Sequence, residues 1–353
     1  MTGRTLIVRL DNLGDVLLAG PAVRAVAASE RTVTLLCGPN GRAAADLLVG
    51  VHAVCEFRAP WIDPDGHPVD APAIDALVGR IAELAFDDAF VLTSFHQSAL
   101  PMALVLRLAG VPTIAAISTD FPGTLLDVRH GVPDDLHEVE RNLSLVGALD
   151  HRLPLDDDGS LRIERRREPV RRPFASPYVV VHPGATMSAR AWSWDRHRDA
   201  VAALVAAGWC VAVTGGGSEQ RLTAAVADAA RHRGRVADLG GRTTFAELAA
   251  VLAGAAALVV GNTGAAHLAA AVGTPVVSLY APTVPFGRWR PWQVPTELLG
   301  DQAIACAGCR ARACPVDGHP CLAGVGAADV VEAVERLTVG SMAPMGDVVR
   351  RAG

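Results

Sequence analysis

The 353-residue chain lacks the excess of Lys and Arg that a general nucleic-acid footprint requires, since its formal net charge is −5. A partner held mainly through backbone phosphates is therefore excluded. It also lacks a long unbroken apolar run. The most apolar region, Leu248 to Tyr280, is interrupted by Asn262, Thr263 and His267, which predicts buried helix, strand, helix and strand rather than a membrane span. The segment ahead of Leu6-Ile7-Val8 is too short for a signal-peptide core and runs into the charged Arg9, so no secretion is expected. The seven cysteines lack the even spread of a small disulfide-stapled domain, with four of them falling within Cys306 to Cys321. A reducing cytoplasm is expected. Short solenoid repeats are missing. So is a Gly-x-Gly-x-x-Gly opening either half with an acidic residue about twenty positions later, which sets a dinucleotide oxidoreductase aside.

What is present is a globular balance of 50% hydrophobic and 20% charged residues, on a chain long enough for two domains that each bury a core. The first half alternates short β-branched runs (Thr5 to Leu10, Thr32 to Cys37, Ala89 to Thr93, Thr113 to Ile117) with helical spacings over Val16 to Ala28, Ala73 to Leu84 and Leu100 to Leu108. Strand-helix repeats around a parallel sheet follow. A second series runs through Tyr178 to Val181, Cys210 to Val213, Ala257 to Val260 and Val276 to Leu279. The expected fold is α/β, with two Rossmann-like domains whose parallel sheets face a central cleft. The boundaries read as an N-terminal domain at 1–154, a linker at 155–176, a C-terminal domain at 177–338 and a loosely held tail at 339–353. The linker is marked by Asp156-Asp157-Asp158-Gly159 and by Arg165-Arg166-Arg167 and Arg171-Arg172-Pro173, and the charge of its basic run reads as a solvated face rather than a grip on an anionic lipid or phosphate. The helix at Ala327 to Thr338 is expected to pack back across the cleft.

Three strand ends carry candidate chemistry. Arg9-Leu10-Asp11-Asn12-Leu13-Gly14-Asp15 closes the first strand and opens a helix. Asp15 is either a base facing the cleft or a helix cap, and on this motif alone the cap is the commoner role. His182-Pro183-Gly184-Ala185-Thr186-Met187-Ser188-Ala189-Arg190-Ala191-Trp192 follows the first strand of the second half; its hydroxyls and its arginine suit a diphosphate, or it is an ordinary loop with Trp192 in the core. Gly261-Asn262-Thr263-Gly264-Ala265-Ala266-His267 leads from a buried strand into an Ala-rich helix, and such a helix start gathers backbone N–H groups on an anion. Against this stands a capping Asn262 or Thr263 with a locally satisfied His267. The Gly215-Gly216-Gly217-Ser218-Glu219 turn is by itself weak evidence.

Together these segments, with His137 to Gly147 and Gly273-Thr274-Pro275-Val276, resemble glycosyltransferase family 9, the heptosyltransferases of the lipopolysaccharide inner core. The resemblance covers most of the chain. It implies the GT-B fold, with the acceptor on the N-terminal half and the nucleotide sugar on the C-terminal half. It places the catalytic aspartate on Asp15 and donor contacts on Thr186, Arg190, Glu219, Thr243, Thr263, Gly264 and His267, which join Ser188 and Asn262 as candidates; Asn12 and Gly14 belong to the acceptor-side loop. Asn262 stands where the family typically has Asp before Thr-Gly, and Arg190 where it often has Lys.

The implied reaction is inverting transfer of a sugar, heptose by preference, from a nucleotide diphosphate sugar, ADP-heptose by preference, to a hydroxyl of a glycolipid or lipopolysaccharide-core-like acceptor. Asp15 takes the hydroxyl proton; an ordinary aspartate titrates near about 3.9 and is ionised at neutral pH. Arg190 and the helix start near Thr263 stabilise the leaving diphosphate without a divalent ion, and no Asp-x-Asp pair occurs between 177 and 338. No cofactor is expected beyond the nucleotide sugar as co-substrate. The protein is expected in the cytoplasm at the inner membrane face, in at most peripheral contact, as a monomer or weak oligomer. The alternatives are a GT-B-like sugar-nucleotide enzyme of the epimerase type and a non-catalytic nucleotide-sugar binding module. Cys306, Cys309, Cys314 and Cys321 have a density that suits zinc, yet the second pair lacks the usual two-residue gap. Free or disulfide-linked thiols are expected, with no metal site.

Overall fold

The computed structural model describes residues 3–62, 66–94, 96–164 and 172–338. The expected tail at 339–353 and the basic residues 165–167 and 171 lie outside them. Twelve strands appear among the described residues: β1 Arg4–Arg9, β2 Thr32–Cys37, β3 Ala53–Glu56, β4 Asp88–Val91, β5 Thr113–Ile117, β6 Val128–His130, β7 Tyr178–His182, β8 Cys210–Val213, β9 Val236–Asp238, β10 Ala257–Gly261, β11 Val276–Leu279 and β12 Thr296–Leu299. They form two six-stranded sheets, ordered β3-β2-β1-β4-β5-β6 and β12-β11-β10-β7-β8-β9. Every pairing in both is parallel.

Each half thus repeats one topology, the doubly wound order of nucleotide-binding sheets. The chain starts in the middle, winds outward on one side, then returns to wind outward on the other. The reversal falls between β1 and β4 in the front half and between β7 and β10 in the rear half. At such a point the connections leave in opposite directions and open a crevice beyond the carboxyl ends of the strands. The candidate loops occupy those ends: residues 10–15 follow β1, residues 183–190 follow β7 and residues 262–267 follow β10.

The central strands are buried on both faces, with Leu6, Ile7 and Val8 in β1, Val179 to Val181 in β7 and Leu258 to Val260 in β10 at 0–1% exposure. That double burial is why they read as continuous apolar runs.

Two expectations are corrected, and the linker is placed in part. The helix expected at 16–28 is two helices, Leu13–Leu18 and Gly20–Ala27, with Pro21 in the first turn of the second. Proline has no N–H to donate, and its ring crowds the carbonyl four residues earlier, so the break falls there. Residues 155–164, the acidic part of the expected linker, pack partly on the front half, while the basic run whose charge reads as a solvated face begins outside the described residues. Asp157 pairs with the buried Arg24 at 2.7 Å, Leu161 is buried and Ile163 bridges to Leu48. The helix Ala327–Thr338 does not cross the cleft. It lies on the rear sheet against the helix Trp194–Ala206, where Val330, Ala333 and Val334 join that half's core.

Candidate functional site

At the end of β1 the guanidinium of Arg9 is fully buried. A buried cation of that kind persists only with paired charge around it, and three carboxylates supply it. Nε lies 2.8 Å from Asp11, Nη2 3.0 Å from Asp15 and Nη1 3.7 Å from Glu138, and Nη2 also donates to Ser94 Oγ at 3.0 Å. Burial alone would lower the Arg9 pKa, but Asp11, Asp15 and Glu138 outweigh it and raise it. Burial pushes the Asp11 carboxyl up to about 6 against the opposing pull of Arg9. Gln97 donates to Asp11 and accepts from the Ser94 N–H.

Asp15 sits in the first turn of the helix Leu13–Leu18, where no side-chain cap bond is made by Asn12. The capping role is therefore not the one the structure shows, because the Asp15 carboxylate is committed to Arg9. Its side chain is 19% exposed. Asn12 is exposed beside it. Gly14 is where the halves meet: a Cβ there would stand 2.7 Å from His267 Cδ2 and 3.2 Å from Gly264 Cα. Only glycine permits so close an approach.

Facing it, β10 runs through Asn262 and Thr263 into the helix Gly264–Val272. Thr263 is the N-cap residue, yet its hydroxyl makes no cap bond. Asn262 Nδ2, Thr263 Oγ1 and His267 Nδ1 are buried with no hydrogen-bond partner among the described residues. Neither the capping nor the locally satisfied reading of these three holds. Buried polar groups are normally paired; of these three residues Thr263 lines the neighbouring cavity, whereas Asn262 and His267 stand behind its lining, and a helix start of this kind suits an anionic ligand. Burial pushes His267 down to about 4, with Arg190 adding to the shift and Asp15 opposing it. The imidazole is neutral at pH 7.

Thr186, Glu219, Thr243, Thr263 and Gly264 line one cavity of about 260 Å³, to which the front half contributes Leu13. His182, Phe245 and Leu248 also line it. Glu219 accepts from the Gly216 N–H at 2.7 Å, and its carboxylate lies where a Cβ on Gly184 would stand. Arg190 lies outside the lining but within electrostatic reach of His267, and its Nε donates to Thr283 Oγ1 at 3.3 Å. The structure does not bring Ser188 to the cavity. That residue is exposed, and its hydroxyl donates to the Arg312 carbonyl at 3.4 Å.

Cys306, Cys309, Cys314 and Cys321 are free thiols around a small cavity of about 20 Å³ beside Ala189 and Thr283. Among the described residues no group of three or more His, Cys, Asp or Glu side chains is arranged to hold a metal ion. The loop acts as a brace. The Arg312 carbonyl accepts from the Ala189 N–H at 3.1 Å, His319 Nε2 meets the Ala189 carbonyl at 3.0 Å and the Arg310 N–H donates to Thr283 at 2.9 Å, so both neighbours of Arg190 are fixed from below.

Arg9, Asp11, Ser94, Gln97, Glu138 and Arg288 were not singled out by sequence. Arg9 read only as the charged end of a strand. His137 to Gly147 was quoted without a role, yet Glu138 at its start is buried and takes Arg288 of the rear half at 2.8 Å.

The family model described as glycosyltransferase family 9 (heptosyltransferase) matches residues 76–319. Lipopolysaccharide heptosyltransferase 1 of Pseudomonas aeruginosa is 31% identical over 241 residues, which is 67% of this chain and 65% of that protein. Lipopolysaccharide heptosyltransferase 3 of Escherichia coli K12 is 33% identical over 165 residues, covering 44% and 47%. The chain thus spans less than two thirds of the length of these relatives. Among solved structures, Escherichia coli ADP-heptose LPS heptosyltransferase II superposes with a TM-score of 0.73 at 17% identity, over 96% of this chain and 99% of that one. Escherichia coli heptosyltransferase WaaC with ADP gives 0.70 at 18%, over 95% and 99%. These likenesses establish the two-sheet GT-B fold. With the family model covering well over half its length and the fold shared end to end, the chain belongs to glycosyltransferase family 9.

Proposed function

We propose that the chain is an inverting glycosyltransferase that moves heptose from ADP-heptose to a hydroxyl of a lipopolysaccharide-core-like or other glycolipid acceptor. The observation that carries this reading is the placement of the Asp15 carboxylate, from the front half, opposite the unpaired donors of Asn262, Thr263 and His267 in the rear half. The donor's names come from relatives: one solved neighbour is described with ADP, another as an ADP-heptose enzyme.

In the reaction the acceptor oxygen attacks the anomeric carbon on the side away from the diphosphate. The new C–O bond forms as the bond to the diphosphate oxygen breaks, and the hydroxyl proton passes to Asp15. Inversion follows from that line of attack. The negative charge that develops on the leaving diphosphate meets the Arg190 guanidinium, the N–H groups at the start of the helix Gly264–Val272 and the side-chain donors beside it, all fixed before the reaction begins. Thr186, Glu219 and Thr243 hold the rest of the nucleotide in the 260 Å³ cavity. Asn12 and Gly14 shape the acceptor side. The front half, 1–154, takes the acceptor and the rear half, 177–338, takes the donor. No described helix is long and apolar enough to cross a membrane, and we place the enzyme at the inner membrane face, where a lipid-linked acceptor is presented.

The test is transfer itself. ADP should be released from ADP-heptose only when a heptose-free lipopolysaccharide core is supplied, and NMR of the product should show the opposite anomeric configuration. Release at the same rate with no acceptor favours an enzyme of the epimerase type. Tight donor binding with no release at all favours a binding module.

A further inference from the structure

Six acidic and basic side chains are packed together under the site. Asp11, Asp15 and Glu138 surround Arg9, and Glu138 is in turn met by Arg288 at 2.8 Å and Arg141 at 3.5 Å. Arg9, Asp11, Glu138, Arg141 and Arg288 are all buried. Five of the six belong to the front half. The sixth, Arg288, is carried by the short rear-half helix Phe286–Trp289, so acid and base balance only when the two halves are docked.

We propose that Arg288 is a positioning residue for transfer: by neutralising Glu138 across the seam between the halves, it leaves Arg9 to Asp15 and Asp11 and so keeps the base ready to accept a proton. The proposal rests on the reading of Asp15 as that base. Without Arg288, Arg9 has three carboxylates to serve in a water-poor pocket. The surplus negative charge then favours protonation of one of them, and Asp15 is among the candidates. The ion pair with Glu138 acts through Arg9, one residue removed from the substrate.

Other titratable and charged groups face this cluster. From the rear half His267 and Arg190 face Asp15; from the loop after β4 His96 does, with Arg310 behind it. Arg141 also faces Asp134, and His137 abuts Arg290. His267 is pushed down to about 4 and His137 to about 3, both chiefly by burial. His96 is lowered by desolvation and then by Arg310. All three histidines are thus held towards their neutral form chiefly by burial.

The test follows ADP release from ADP-heptose with heptose-free lipopolysaccharide core as acceptor, across pH, in the parent and in Arg288→Gln, Arg288→Lys, Asp15→Asn and the double variant Arg288→Gln/Glu138→Gln. In Arg288→Gln the acid limb of kcat should move up by about one pH unit. The double variant, balanced again, should bring it back, and Arg288→Lys should leave it near the parent position. A uniform fall in rate with an unmoved limb, while Asp15→Asn is inactive, overturns this inference and leaves the base reading standing. Turnover retained by Asp15→Asn overturns both. Melting temperature gives a readout that needs no substrate: the deficit of Arg288→Gln should be larger at pH 8 than at pH 5.5, and adding Glu138→Gln should remove that difference. An equal deficit at both pH values, the mark of a lost contact alone, also overturns the inference.

Discussion

Gly14 of the front half and His267 of the rear half stand so close that one added carbon on Gly14 would lie 2.7 Å from the imidazole. The contact joins the loop that carries Asp15 to the helix start that carries the unpaired donors. Gly14→Ala should therefore push the halves apart at the reaction centre. Overpacking of this size costs about 1–3 kcal/mol, so kcat/KM should fall about 10- to 100-fold, with little change in the pH profile. A crystal structure or small-angle scattering curve of the variant should show a wider cleft; a parent-like rate would remove the contact from the account.

Asp15→Asn keeps the shape of the side chain and removes its capacity as a base. Donor affinity by calorimetry should stay within about threefold of the parent, because the proposed donor contacts lie on the rear half. General-base catalysis is worth about 10²–10⁴ in rate, and turnover should fall by that factor. If turnover holds while binding holds, another group takes the proton.

Acid should unfold the protein early. Burial holds His137 and His197 down at about 3 and His267 at about 4, whereas an unfolded histidine titrates near about 6.5. The unfolded chain takes up these protons first, so the stability is whole above about pH 6.5 and drains as pH falls towards 4, by about 1.4 kcal/mol per pH unit for each group. Asp11, raised to about 6 chiefly by burial, acts in the opposite sense and regains stability as pH falls below 6. Three groups outweigh one. Melting temperature should drop between pH 7 and pH 5, and His197→Phe should flatten that slope; the same slope in the variant would take His197 out of the explanation.

Transfer should survive excess chelator, since in the proposed reaction Arg190 and the start of the helix Gly264–Val272 meet the charge on the diphosphate that a divalent ion would otherwise meet. Loss of turnover on chelation, restored by an added divalent ion, would contradict this. Elemental analysis of protein purified without chelator should find well under one equivalent of zinc. A full equivalent, lost on replacing Cys306 by Ser, would show that the thiols around Ala189 are ligands.

The strands legible in the sequence were the four central ones of each sheet. All four edge strands, β3, β6, β9 and β12, went unseen. The cause is burial. A central parallel strand such as Leu258-Val259-Val260 is covered on both faces and becomes a solid apolar run, while β6, Val128-Arg129-His130, and β9, Val236-Ala237-Asp238, have no fully buried residue. Their three-residue patterns cannot be told from loops. The motifs at 12–15, 186–190 and 262–267 were legible because small residues and hydroxyls cluster at strand ends. Where the Ser188 hydroxyl points was not legible, because a hydroxyl in a loop can turn either way, and here it turns to the Arg312 carbonyl. Arg9 and Glu138 are far apart in sequence and meet only on folding of the front half, and Arg288 joins them only when the halves dock, which no local pattern records.

The rear-half stretch after Arg288 is held by the front half and its connector together. Trp292 stacks on His137 at 4.3 Å, its ring N–H donates to Gly159 at 2.9 Å, and His137 Nε2 meets the Arg290 carbonyl at 3.0 Å. Any opening that spares those bonds is a swing about them, like a book about its spine. Asp15 is only two ion pairs from that spine, through Arg9 and Glu138. Points near a rotation axis travel least, so such a swing would open the outer margins of the cleft while the proposed proton acceptor kept its station.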